Sequence, residues 1–281
     1  MRQVLQLKAS LLLSLSALFL PGITKGAVGS IHREKPVEMA LVCGSDGLLS
    51  DSTFWIGWWL KKEEGWHTYW EHPGNVGLTP HLEWVLPEGF TVGELQFPFP
   101  QRVQMAGVKA YGHYGETLIL AEVKAPKLEV GQNIEFKAKA RWMACSNICL
   151  PSYTDLSITL PVLASLEPDP VWSSRFQEFL QNRPIAIPAN WKVEAEEVGQ
   201  FTKLSLRAPY PLGGKELYLF GGDRLVCSDA DQLFRPSDSG AELLLPKPPW
   251  PEETPTHLKG LLRVTEEQGI AAHYTLSIPL R

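Results

Sequence analysis

Polar and apolar residues alternate with period two along several stretches of the chain. Phe136, Ala138, Ala140 and Trp142 interleave with Lys137, Lys139 and Arg141, a pattern that predicts a β-strand with one wet face. Leu156, Ile158 and Leu160 alternate with Asp155, Ser157 and Thr159, and Ala272, Tyr274, Leu276 and Ile278 with His273, Thr275 and Ser277. Residues 53–60 are apolar on both faces and read as a central strand. Turn residues punctuate these runs at Pro73-Gly74, Pro87-Glu-Gly89, Gly213-Gly214 and Gly221-Gly222-Asp223. Short strands with frequent turns predict an all-β chain of β-sandwiches.

One segment breaks the pattern. Asp169 suits a helix cap and Pro170 the first turn, and Trp172, Phe176, Phe179 and Leu180 follow at helical spacing. The helix begins after residues 166–170, a linker-like run, which places the domain boundary there. The expected organisation is a first sandwich over 28–164 and a second over 168–281, joined by the linker and the short helix.

The first residues read differently. Arg2 and Lys8 precede an apolar block over 11–20, closed by Pro21-Gly22 and followed by small residues at Thr24, Gly26 and Ala27. This is the layout of a signal peptide, residues 1–26, cleaved after Gly26. The block is shorter than the roughly 20 residues a membrane-crossing helix needs, so the expected mature protein is exported and not membrane-spanning.

Charge excludes one class of partner. The chain has 26 Lys plus Arg against 31 Asp plus Glu, a net charge of −5. Without Arg2, Lys8 and Lys25 it falls by three, to −8. So acidic a chain has no general electrostatic means of holding phosphate backbones, and no nucleic-acid partner is expected.

Four cysteines are too few for a disulfide scaffold, yet two of them lie close together at Cys145 and Cys149. On a straight strand their Cα atoms would stand ~13 Å apart, whereas a disulfide needs about 4.4–6.8 Å. Residues 146–148 must therefore turn, and Asn147 suits that turn. The flanking strands then form a hairpin with both sulfurs at its tip. So small a ring restrains the unfolded chain by only about 2 kcal/mol, so a tip disulfide serves poorly as a staple. It suits reversible thiol–disulfide exchange, in which one thiolate attacks and the other resolves the mixed disulfide. A structural disulfide in an exported domain is the alternative. Arg141 shares strand parity with Cys145 but lies ~13 Å away on a straight strand, beyond effective reach. Cys43 and Cys227 fall in different expected domains. They form a structural disulfide across the interface, stay buried and free, or make partner contacts.

Around these cysteines stand further candidates. Trp66, Tyr69 and Trp70 bunch beside His67 and His72, either as an aromatic loop shielding the sulfurs or as sandwich core. His67, His72, His81 and His113 with the cysteine pair offer soft donors of the kind Cu(I) prefers, without any zinc-like spacing; no metal and no cofactor is assigned. There is no G-x-S-x-G elbow and no phosphate-binding glycine loop. The second sandwich carries no motif with nameable chemistry.

Three segments together resemble the N-terminal periplasmic domain of the DsbD family. They are Gly65-Trp-His-Thr-Tyr-Trp-Glu-His-Pro-Gly74 (with Gly77 and the 86–89 turn), Tyr111-Gly-His-Tyr-Gly-Glu116, and Trp142-Met-Ala-Cys145-Ser-Asn-Ile-Cys149-Leu-Pro151. The resemblance covers about residues 36–162. The helix and second sandwich look more like the ScsB branch, as does the three-residue gap between the cysteines. It implies two immunoglobulin-like domains and a thiol:disulfide oxidoreductase function. Reducing equivalents would come from a membrane-embedded, DsbD/CcdA-like electron transducer, a separate protein, and pass to oxidised, thioredoxin-like exported proteins. The family pattern puts the mixed disulfide on Cys149 and the resolving role on Cys145. It makes Trp66, His67, Tyr69, Trp70, His113 and Tyr114 candidates for shielding or tuning the pair. The alternative class is a non-catalytic interaction or copper-binding sandwich with structural cysteines.

Overall fold

The computed structural model describes residues 27–281 except 213–214, 223–224, 238–239, 250–254, 266–268 and 270. The expected signal peptide, the turn at 213–214 and part of the turn at 221–223 lie outside the described residues. Eleven strands fill the first half. They are β1 (His32–Glu34), β2 (Val37–Cys43), β3 (Thr53–Lys62), β4 (His67–Tyr69), β5 (His81–Val85) and β6 (Thr91–Gln96), then β7 (Gln101–Met105), β8 (Val108–Tyr114), β9 (Glu116–Lys124), β10 (Asn133–Cys145) and β11 (Cys149–Pro161). One sheet has the order β1-β2-β3-β9-β6; the facing sheet runs β11-β10-β4-β8-β7, with β5 also paired to β10.

Alternation in β10 decides which residues fill the space between these sheets. Phe136, Ala138, Ala140, Trp142 and Ala144 face a core with Met39, Leu41, Ile56, Trp58, Leu60, Ile119 and Val123. The odd-numbered residues of β10, among them Met143 and Cys145, therefore point to the opposite face. β3 is apolar on both faces because both are covered. Its even side chains enter the core, and the other face of its sheet carries α1 (Trp172–Gln181).

The helix forms where the sequence predicts it. Asp169 Oδ1 accepts from the Val171 and Trp172 N–H groups at 2.9 and 2.8 Å, satisfying donors that the first turn leaves open. Trp172 and Phe176 then pack on Ala40, Val42 and Leu120. Arg175 Nη1 donates to Glu116 Oε2 at 2.6 Å and pins the helix to β9.

Eight further strands build a second sandwich with its own core: β12 (Ile185–Ala186), β13 (Lys192–Val198), β14 (Phe201–Arg207), β15 (Glu216–Gly221), β16 (Leu233–Ser237), β17 (Gly240–Pro246), β18 (His257–Thr265) and β19 (Ala271–Pro279). Its sheets run β12-β19-β18-β15 and β13-β14-β17-β16. The chain is thus all-β, two immunoglobulin-like sandwiches joined by a linker and one short helix. No helix among the described residues is long and apolar enough to cross a membrane.

Candidate active site at the tip of a hairpin

β10 and β11 pair residue for residue from Asn133↔Pro161 to Cys145↔Cys149. The last pair faces across the ladder, with Cα atoms 4.2 Å apart, and the two sulfurs are bonded. Residues 146–148 make the predicted turn, closed by a hydrogen bond from the Ser146 N–H to the Ile148 carbonyl at 2.9 Å. Two aligned strands bring the cysteines together without help from elsewhere in the chain. The sulfurs are not equivalent. Cys145 is fully buried, whereas Cys149 is only partly so and adjoins the exposed Ile148.

Pairing of β10 with β4 and of β4 with β8 places Cys145, His67 and Tyr114 in one row across three strands. Residues directly opposite on one face have Cβ atoms about 4.5–5.5 Å apart, so the His67 ring is the lateral neighbour of the Cys145 side chain. The His67 ring makes edge contacts with Tyr69 and Tyr114 at centroid distances of 5.1 and 5.5 Å. Tyr69, Val103, Ala110 and Cys145 form a small buried cluster. Val76, Met105, Met143 and Cys149 pack at its margin.

This environment is buried. Both ring nitrogens of His67 and the Tyr69 hydroxyl are buried with no hydrogen-bond partner among the described residues. Burial, reinforced by the charge of Lys62, pushes the His67 pKa down to about 4, so the ring is neutral at physiological pH. Burial likewise raises the Tyr69 phenol to about 12. A neutral imidazole beside a buried sulfur offers an acceptor for a thiol proton.

On the inner face a second polar group closes this end of the first core. Lys62, at the end of β3, donates through Nζ to Thr117 Oγ1 and is buried. Loss of solvation pulls its ammonium pKa down to about 7. His113 lies on β8, opposite Thr68, and its Nε2 stands 3.2 Å from the Pro98 carbonyl. Burial first, then Lys62, lower its pKa to about 3. In the sequence Lys62 reads only as the polar end of a strand. Its parity with Trp58 and Leu60 is the one sign of burial.

The expected aromatic loop divides three ways. Tyr69 belongs to the Cys145 cluster, Trp66 packs against the main core, and Trp70 joins Tyr111, Tyr218 and Phe220 at the contact between the sandwiches. His72 sits against the Trp70 ring and His81 pairs with Arg141 on β10. The histidines are dispersed over different faces. Among the described residues no group of three or more His, Cys, Asp or Glu side chains is placed to hold a metal. Of the alternatives open for Cys43 and Cys227, the structural disulfide is not formed: both are free thiols. Cys43 points into the first core, with Sγ 3.6 Å from Ser45 Oγ, whereas Cys227 receives Asn75 Nδ2 at 3.4 Å near the seam. Burial raises the Cys43 thiol pKa.

An immunoglobulin-like domain with a disulfide across the tip of one hairpin defines the class. Residues 46–161 match the family model of the N-terminal domain of thiol:disulfide interchange protein DsbD. Among solved structures, the N-terminal periplasmic domain of ScsB from Proteus mirabilis superposes with a TM-score of 0.64. The two are 18% identical over 90% of this chain and 99% of that one, a likeness of fold. A conserved domain protein from Bacillus anthracis, 7% identical over 90% of each chain, reaches a TM-score of only 0.24. No curated protein sequence matches the chain.

Proposed function

We propose that the chain is an exported, periplasmic thiol:disulfide interchange module in which Cys145 and Cys149 cycle between dithiol and disulfide. The observation that carries this reading is the asymmetry of the bonded pair, one sulfur sealed and the other within reach of solvent. In the reducing half-cycle the Cys149 thiolate attacks one sulfur of a client disulfide, forming a mixed disulfide and releasing the first client thiolate. Cys145 then loses its proton and attacks Cys149 Sγ. The mixed disulfide breaks, the second client sulfur leaves as a thiolate and takes up a proton, and the Cys145–Cys149 bond forms. Two electrons pass to the client. A dithiol of a membrane-embedded electron transducer reverses the sequence and restores the pair.

His67 is the tuning residue of this scheme, as the neighbour that can take a hydrogen bond from the Cys145 thiol. Tyr69 and Tyr114 shield it. Trp66 and Trp70, which flank β4, and His113 on β8 act at a distance, by holding those strands in place. The domains divide at 28–164 and 168–281, each around its own core, with residues 1–26 removed on export. Trapping tests the roles: Cys145→Ser accumulates mixed disulfides through Cys149 in periplasmic extracts. Accumulation in Cys149→Ser instead would reverse the assignment of the two cysteines.

A further inference from the structure

The second sandwich touches the first at a segment that bears on Cys145. After β4 the chain crosses over the Cys145 cluster, where Val76 packs at its margin. Gly77 (φ 104°) lies so flat on Tyr69 that a Cβ there would stand 2.2 Å from Cε1 of the ring. From its other side this segment is gripped by residues 153 positions later. The Asn75 N–H donates to Ser228 Oγ at 2.9 Å, and the Ser228 N–H donates to Asn75 Oδ1 at 2.8 Å. The Ser228 hydroxyl has two acceptors, Asn75 Oδ1 at 3.1 Å and the Lys109 carbonyl at 2.9 Å, and donates to one at a time.

Ser228 is fully buried, so without Asn75 its N–H would be orphaned and its hydroxyl would be left with the Lys109 carbonyl alone. The fit around it is close: a Cβ on Gly74 (φ 88°) would fall 2.3 Å from Ser228 Oγ. Pro73 is fixed as well, its carbonyl accepting from the Tyr111 N–H at 2.9 Å. Behind the clasp Trp70 and Tyr111 pack on Tyr218 and Phe220 of the second sandwich. The Lys109 N–H donates to Asp229 Oδ1 at 2.8 Å, one residue beyond Ser228.

We propose that Asn75 and Ser228 are positioning residues for disulfide exchange: the second sandwich holds residues 73–77 over Cys145, so that an incoming sulfur reaches Cys149 alone. The proposal rests on the exchange reading above and gives the second sandwich its part in it. Attack on Cys149 Sγ breaks the disulfide with Cys145 leaving as a thiolate into the closed cluster, where it takes up a proton and waits as the resolving group. Attack on Cys145 would instead release Cys149 outward and leave the mixed disulfide on the buried side.

The test uses the full chain, reduced, with Cys149→Ser so that Cys145 is the one site thiol. Alkylation by iodoacetamide is followed residue by residue by mass spectrometry. Asn75→Ala and Ser228→Ala are expected to raise the rate at Cys145 by about five- to tenfold, the factor that loss of one or two ordinary hydrogen bonds from a closed state gives. Asn75→Asp keeps the acceptor for Ser228 and stays within about twofold of the parent on the same ground. Asn75 is itself exposed, so its replacement by Ala leaves the fold testable even where Ser228→Ala does not. Unchanged Cys145 labelling in folded Asn75→Ala would overturn the clasp, as would equal acceleration in Asn75→Asp. Exchange of the native pair with a thioredoxin-type dithiol is measured in parallel. If it fails while labelling responds to Asn75, the functional reading falls and the shielding stands; if it proceeds while labelling is indifferent, the clasp alone is wrong.

Discussion

His67 stands directly opposite Cys145 on the ladder between β4 and β10, both side chains buried on the same face. Among the described residues its ring nitrogens have no hydrogen-bond partner while the disulfide is closed. Reduction creates a thiol beside them, and a hydrogen bond from Cys145 Sγ to the neutral ring then favours the dithiol. His67→Phe removes the acceptor and keeps the bulk. One ordinary hydrogen bond is worth ~1 kcal/mol, so the midpoint potential of the pair should become more negative by about 20 mV. Equilibration against glutathione mixtures measures it, and an unchanged or more positive potential contradicts the role.

Lys62 makes stability depend on pH above neutrality. Its folded pKa of about 7 lies below the unfolded value of 10.5, so between them the unfolded chain binds more protons. Stability therefore rises with pH across that window, by at most about 1.4 kcal/mol per unit for a single group. Urea titrations at pH 7, 8 and 9 should show the rise, and Lys62→Met should flatten it. A wild-type profile already flat would remove Lys62 from the buried end of the core.

On the acid side His67 and His113 act in the same sense. Each is held neutral when folded, with pKa values of about 4 and 3, and each gains a proton near pH 6.5 once unfolded. Stability contributed by keeping them neutral is complete above pH 6.5 and is lost as pH falls toward 4 and then 3. His113→Leu should reduce the loss between pH 6.5 and 4, read from denaturant midpoints at constant ionic strength.

Much of this architecture is visible in the residues themselves. Alternation over 136–142 and 155–160 marks the two strands of the hairpin, the geometry of the cysteine spacing demands the turn, and Asp169 announces the helix. The surroundings of the sulfurs are not visible, because register sets them. β4 is three residues long and buried on both faces, so no period reveals which of its residues meets Cys145. The clasp is further out of reach: Asn75 and Ser228 are ordinary turn residues until the two sandwiches meet.

Gly77 tests the close approach that roofs the site. An alanine there combines a positive φ with a Cβ inside the Tyr69 ring, so the ring or the segment must move. Overpacking and backbone strain together are expected to cost about 2–4 kcal/mol, measured by urea denaturation of the oxidised protein. Gly131→Ala is the control, since it shares a positive φ but would meet nothing within 4 Å. Equal losses in the two variants would show that Gly77 answers to backbone conformation alone.

If the pair works by exchange, the hairpin disulfide opens and closes while the protein stays folded. Folded, oxidised protein is mixed with a thioredoxin-type dithiol, and the Cys145–Cys149 pair is followed by acid quench and mass-resolved thiol counting. The account predicts equilibration within minutes, with the near-ultraviolet signal of the folded chain unchanged. A bond that stays closed in millimolar dithiothreitol until the chain unfolds would contradict it.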